Sequence, residues 1–527
     1  MRSILLTAAL LLAGPSFAQT SPPRVLRMAT SVDAATLDPH ATNALFTFLV
    51  VQQIYESLTH RGDDLKIVPG LATRWEQVEP TRWRFHLRPD VKFAGGEAFD
   101  ADDVVFSIRR ALAPTSNYGI FVDTVADVVA VDGLTVDLIT RVPDAVIPDK
   151  MTRILIMDRG WAEANRSAAP QNFAQREELF AVRNANGTGP FMIRSREQDQ
   201  RTIMVRNPNW WGRAANIAAG NVDEYHHITL SSDATRVAAL LSGEVDFVHV
   251  VPVQDVARIR GNARLRVLDG QENRTVFMAF RQDTDELAGS DTPGRNPFRD
   301  LRVRQAVAHA VDVEALRRAT LRGQAVPTGS MWTQFVNGWD ASTNARLPLD
   351  RARARALLTE AGYPNGFTVP LDCPVGTYDE ACQAIAAMLA QVGIRAQLNL
   401  LPNAQFTQKI RRLESSFYVL SWGVPTFDAS YTLRAIMASR SMGGSASWNL
   451  GGWSNPAFDA MVARMDNELD PAARRGIMQA MHRLHNADMG HLPLYHMMIP
   501  WAHRQGVAIT HRADNQFSVR EIRVEAP

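Results

Sequence analysis

Trp83, Phe85 and Leu87 alternate with Arg82, Arg84, His86 and Arg88, a period of two that predicts a strand with one wet face. The period then changes. Asp100 stands where a helix N-cap belongs, and Val104, Ile108, Ala111 and Leu112 recur at helical spacing behind it. Asp300 precedes a second such stripe (Val303, Ala306, Val307, Ala310, Val311), and Asp350 a third (Ala354, Leu357, Leu358, Ala361) that stops at Gly362 and Pro364. Residues 366–401 read as one βαβ unit. Phe367, Val369 and Leu371 alternate, and Cys382, Ile385, Ala386, Leu389 and Val392 form a helix face ending at Gly393. Ile394, Ala396, Leu398 and Leu400 then alternate up to Pro402. Two strands joined by a helix of that length are expected to run parallel. The apolar run Phe417–Trp422 predicts a central strand, and Gly423–Asp428 a loop just past its carboxyl end, where open α/β sheets bind ligands.

At 527 residues the chain is too long for one ordinary core, so two or three domains are expected. The amino terminus carries Arg2, an apolar stretch from Ile4 to Ala13, the breakers Gly14 and Pro15, and small residues at Ser16 and Ala18. This is the layout of a cleavable signal peptide over residues 1–18 that leaves Gln19 first. Ten apolar residues are too few to span roughly 30 Å of hydrocarbon, which disfavours a membrane anchor. The 56 basic residues are balanced by 55 acidic ones, against a nucleic-acid partner. Cys373 and Cys382 either pair, which an oxidising compartment favours, or stay as two buried thiols. His-Glu-x-x-His, Gly-x-Ser-x-Gly and Walker A patterns are missing, and Pro190 follows the Gly187–Gly189 turn where a phosphate loop needs lysine. His482 and His485, three apart on a predicted helix, either share a metal or sit on a solvated face. The second reading is preferred, and neither a metal nor a cofactor is expected.

Eight segments in order resemble family 5 of the extracellular solute-binding proteins of ABC importers, the dipeptide-, oligopeptide- and nickel-binding group. They are 99–109, 186–191 (Asn-Gly-Thr-Gly-Pro-Phe), 207–211 (Asn-Pro-Asn-Trp-Trp), 240–246, 302–307, 361–367, 454–459 and 493–495. The resemblance implies a two-lobed α/β periplasmic binding-protein fold, class II or cluster C type, with an extra inserted domain. Lobe I would take 19–50, 187–272 and 490–527, the inserted domain 51–186, and lobe II 273–489. The chain would cross near Gly270–Arg274 and Met489–Pro493, and closure there would enclose a ligand. The implied function is capture of a peptide-like solute for an inner-membrane permease and its ATPases, by a monomer that is not an enzyme. The alternatives are the same role with an opine, nickel chelate, sugar or haem, or a periplasmic hydrolase.

Candidate ligand-binding residues follow from the same resemblance. Trp422 flanks the site in similar proteins, either walling the cleft or anchoring the core. An acidic residue three positions later pairs with the ligand's amino terminus in peptide-binding relatives, and here that position is Pro425. Asp428 either substitutes for it or caps a helix from about Ala429, the preferred reading. Trp448 and Asn449 lie in a Gly/Ser-rich stretch that either approaches the ligand or is a surface loop. Tyr495 and His496 either line the cleft floor or pack in the core, the core being the preferred reading for Tyr495. Thr36 and Leu37 follow the first predicted strand.

Overall fold

The computed structural model describes residues 22–217, 219–376 and 378–525, apart from the side chains of 443–445. The expected signal peptide lies outside the described residues. One 11-stranded mixed sheet runs through the molecule. From one edge its order is Ile394–Leu401, Phe367–Pro374, Phe417–Gly423, Leu265–Phe280, His491–Arg504, Phe247–Val248, Val25–Thr30, Glu224–Thr229, Arg201–Arg206 and Phe191–Glu197, with Ala325–Pro327 also pairing to His491–Arg504. A separate four-stranded antiparallel sheet is built from Ala72–Glu79, Arg82–Leu87, Thr135–Thr140 and Val125–Asp132.

Local chemistry sets these elements as the sequence suggests. Asp100 caps the helix Ala101–Leu112 in a capping box with Asp103. Asp300 and Asp350 cap Leu301–Ala310 and Arg351–Glu360. Gly362 ends the latter at φ +85°, and the Tyr363 amide reaches back to Leu358 O at 2.8 Å. Phe367–Pro374 and Ile394–Leu401 run parallel in unbroken register, and the disulfide Cys373–Cys382 ties the first of them to the helix Asp379–Ala390 between them.

Two long antiparallel strands, Leu265–Phe280 and His491–Arg504, join the halves of the large sheet. On one side of the join, alternation sends Val276, Met278 and Phe280 to a core under Phe367, Ile385 and Ile394. Phe277 and Ala279 go to a core on the other face with Trp453, Met478 and Met481. On the far side of the join Met28, Tyr225, Phe247 and Trp501 pack together. Their pairing is not continuous. Gln271 faces Met498 and Thr275 faces His496, so Glu272, Asn273 and Arg274 stand opposite Met497 alone. Met497 pairs instead with Ala325.

The solvated-face reading of His482 and His485 is corrected here. Both are fully buried, because they fall on the same stripe as Met478 and Met481, which packs inward. His482 stacks on Trp332 with ring centroids 4.0 Å apart, and His485 Nε2 is 3.0 Å from His491 Nδ1.

Candidate functional site

A cavity of about 430 Å³ opens where the long strands change register. Its walls come from distant parts of the chain. Phe48, Glu56, Arg61 and Arg153 stand on one side. The loop Gly423–Pro425 with Phe427, Tyr431 and Trp448 stands on the other, and Glu272–Arg274 lies between them. The loop is placed there because the strand Phe417–Gly423 pairs with Arg274–Phe280 along its whole length and ends at the register change. A second chamber of about 270 Å³, lined by Tyr378 and Phe406, shares Leu420, Ser421 and Trp448 with the first.

Aromatic planes dominate one wall. Trp422 stacks on Tyr431 at 5.4 Å with 22° between planes, and Trp448 stands 5.6 Å from Trp422. The Trp422 indole Nε1 is buried and unpartnered. Opposite, the Arg153 guanidinium carbon lies 3.7 Å over the Phe48 ring, a cation–π contact. Burial pushes the pKa of Arg153 below its ordinary value. Glu56 accepts from the Trp211 indole at 2.8 Å and the Trp210 indole at 3.2 Å, and burial raises its pKa despite nearby Arg520.

The two sides touch. Arg61 Nη2 donates to Thr426 O at 2.8 Å, and its guanidinium carbon sits 4.6 Å from the centre of the Phe427 ring. Phe427 has φ +54°, a left-handed conformation uncommon for an aromatic residue and retained where surrounding contacts hold it. Leu65, Phe427 and Ala513 form a small buried cluster at the same place. Asn273 Nδ2 donates to Val424 O at 2.8 Å.

Of the eight residues expected to touch ligand, the structure brings Trp422 and Trp448 to the cavity. Pro425 also lines it, so that position offers no carboxylate. The other six are elsewhere. Asp428 accepts two bonds from Arg474, at 2.7 and 2.9 Å, and one from the Ser430 amide. Burial alone would raise its pKa, but Arg474, Ser430 and Asn337 hold it at about 2. It is therefore spent on an internal ion pair and does not replace the acid missing at Pro425. Asn449 is buried and bridges Ala438 O and Trp453 O, fixing its own loop. Tyr495 faces the core with Phe417 and Val419. His496 is buried 2.9 Å from Thr275 Oγ1. Leu37 is a core residue, and Thr36 Oγ1 accepts from the Asp38 amide. Phe48, Arg61, Arg153, Glu272 and Tyr431 are cavity residues that sequence reasoning missed. Arg153 had a signal, since it is the lone charge inside the apolar run Met151–Met157.

Residues 66–444 match the family described as bacterial extracellular solute-binding proteins, family 5 Middle. The glutathione-binding protein GsiB of Pectobacterium atrosepticum is 25% identical over 454 residues, covering 84% of this chain and 82% of that protein. Heme-binding protein A of Haemophilus influenzae is 25% identical over 443 residues, 78% of this chain and 76% of its own. The periplasmic binding protein DppA from Helicobacter pylori, solved with the peptide STSA, superposes with a TM-score of 0.78 at 20% identity, over 95% of this chain and 98% of that one. That likeness carries the fold, which is the two-lobed α/β periplasmic binding-protein architecture. With most of its length matched by the family and its cavity set between the two halves of one sheet, the chain belongs to the family 5 bacterial extracellular solute-binding proteins, the capture components of ABC importers.

Proposed function

We propose that this chain works in the periplasm as a monomeric capture subunit that shuts two lobes on a peptide-like solute, without turning it over, and presents the closed form to an inner-membrane permease and its ATPases. The observation that carries this reading is the cavity lying between the halves, with Arg61–Thr426 and Asn273–Val424 bonds spanning its rim. A ligand shifts an open–closed balance only by its differential affinity, and contacts of this kind exist only when the halves meet. A hinge at Gln271–Thr275 in the first long strand and His496–Met498 in the second is supported by the register break there. On this reading the second crossing would fall a few residues beyond the Met489–Pro493 expected from sequence. A peptide-like ligand is favoured by the glutathione-binding and peptide-bound relatives. Export rests on the leader at residues 1–18, and no helix among the described residues is long and apolar enough to cross a membrane.

The reading is tested by small-angle scattering across a broad nutrient library, with native mass spectrometry of the same samples. One solute or more should reduce the radius of gyration at one-to-one stoichiometry and be recovered chemically unchanged. A chain whose scattering ignores every solute, or which converts the one it binds, would refute the proposal.

A further inference from the structure

Five arginines face the cavity, and four of them have a carboxylate of their own. Arg61 pairs with Asp149 at 2.8 Å, Arg274 with Glu272 at 3.2 Å, Arg512 with Asp514 at 2.7 Å and Arg520 with Glu56 at 3.7 Å. Arg153 is the fifth. Among the described residues it has no carboxylate within ion-pair distance, its guanidinium makes no hydrogen bond, and its Nε is buried with no partner. The residue is only 8% exposed. Phe48 covers one face of the guanidinium, which leaves Nη1 and Nη2 as free donors at the cavity wall. Folded proteins keep a buried charge of this sort where something else neutralises it.

The acids tell the complementary story. Glu56, Glu272 and Asp514 line the cavity, and each is already taken by one of the four paired arginines, Glu56 also by two indoles. Among the described residues the cavity therefore offers an unneutralised cation and no unneutralised carboxylate.

We propose that Arg153 receives a carboxylate of the bound solute, and that this solute has no free ammonium group: an N-blocked amino acid or peptide acid, or an organic acid of like shape. The inference rests on the cavity being the solute site. A guanidinium presents two parallel donors that match a carboxylate, whereas an ammonium brought into this cavity would meet Arg153 and find no free anion. The flat wall of Trp422, Tyr431 and Trp448 suits an apolar or aromatic group on the same molecule.

The test uses N-acetyl-alanyl-phenylalanine, its C-terminal amide and unblocked alanyl-phenylalanine, each titrated by calorimetry and thermal shift at matched ionic strength. The blocked acid should bind tightest. In Arg153→Met its affinity should fall by about 10- to 100-fold, to the level of the amide, as expected for a lost charge-assisted pair. The ligand-free variant should also melt above the wild type, because the unpaired charge is gone. Should Arg153→Met fail to fold, Arg153→Gln gives the same affinity comparison. An amide that binds as well as the acid, or an acid preference surviving either substitution, overturns the role of Arg153. An unblocked dipeptide that binds tightest overturns the exclusion of ammonium. If none of the three binds while a solute that lacks a carboxylate or carries a free ammonium closes the protein in scattering, the acid class is wrong and the capture reading stands; closure by another ammonium-free acid, lost in Arg153→Met, upholds it. If nothing closes the protein, both fall.

Discussion

Arg110 and Arg153 are both buried guanidiniums, and they are treated in opposite ways. Arg110 grips Asp38 with two bonds of 2.6 Å, donates to Ser167 O and Ala169 O, and approaches His40 Nδ1 at 3.1 Å. Asp38 in turn accepts from the amides of Gln171 and His40. The side chains of Arg110, Asp38 and His40 are satisfied from within the fold, and the knot fastens the segment after the first strand to the helix Ala101–Leu112. Arg153 has an aromatic ring beneath it and, among the described residues, no carboxylate within ion-pair distance. The contrast separates two uses of buried charge: one closes a structure on itself, the other leaves a valence for a guest.

Emptying the knot should have the largest effect. Asp38→Ala puts Arg110 in the position of Arg153 without a cavity to relieve it, and should cost about 3–5 kcal/mol. The midpoint of urea unfolding measures this, and a loss below about 1 kcal/mol would show that the two arginines are not so different. Arg61 is the intermediate case, paired with Asp149 yet reaching across to Thr426 O. Arg61→Gln should weaken solute binding about 10-fold, the scale of one charge-assisted bond, and enlarge the ligand-free radius of gyration. Unchanged scattering would confine Arg61 to its own lobe.

The smallest change near neutrality sharpens the knot's side of the comparison. A guanidinium can only donate, so His40 Nδ1 accepts from Arg110 and Nε2 carries the proton given to Leu155 O at 2.9 Å. Burial, then Arg110, push its pKa to about 3. The folded ring thus stays neutral while the unfolded chain takes up a proton below pH 6.5. Stability should fall as pH drops from about 6.5 towards 3, by about 1.4 kcal/mol per pH unit for each such proton. His227, His249, His485 and His496, at about 4, add to the trend. In melting curves between pH 7 and 4.5, His40→Gln should therefore lose one proton's share of the slope, and an unaltered slope would mean that the ring is already charged in the fold.

Elements bounded by caps, glycines and clean alternation were legible from sequence. The βαβ unit of 366–401 and the helices behind Asp100, Asp300 and Asp350 follow from residues close together in the chain. The loop after Trp422 was legible for a related reason, since a strand's carboxyl end marks itself. Which way Tyr495 and His496 face was left open between cleft floor and core, because it depends on a register break in the neighbouring strand that no periodicity within 491–504 reveals. Asp428 was obscured because its partner, Arg474, is 46 residues away on the helix Pro471–Ala487. Arg61 and Glu272 owe their places to contacts of the same long range.

The register break between Gln271 and Thr275 has one more consequence. The three residues it leaves out of step with His491–Arg504, Glu272 to Arg274, are also cavity wall. If the proposed hinge lies at this break, a guest would press directly on it, and recognition and motion would share the same backbone. No relay through the rest of the molecule would then be needed: the place that feels the occupant would be the place that bends.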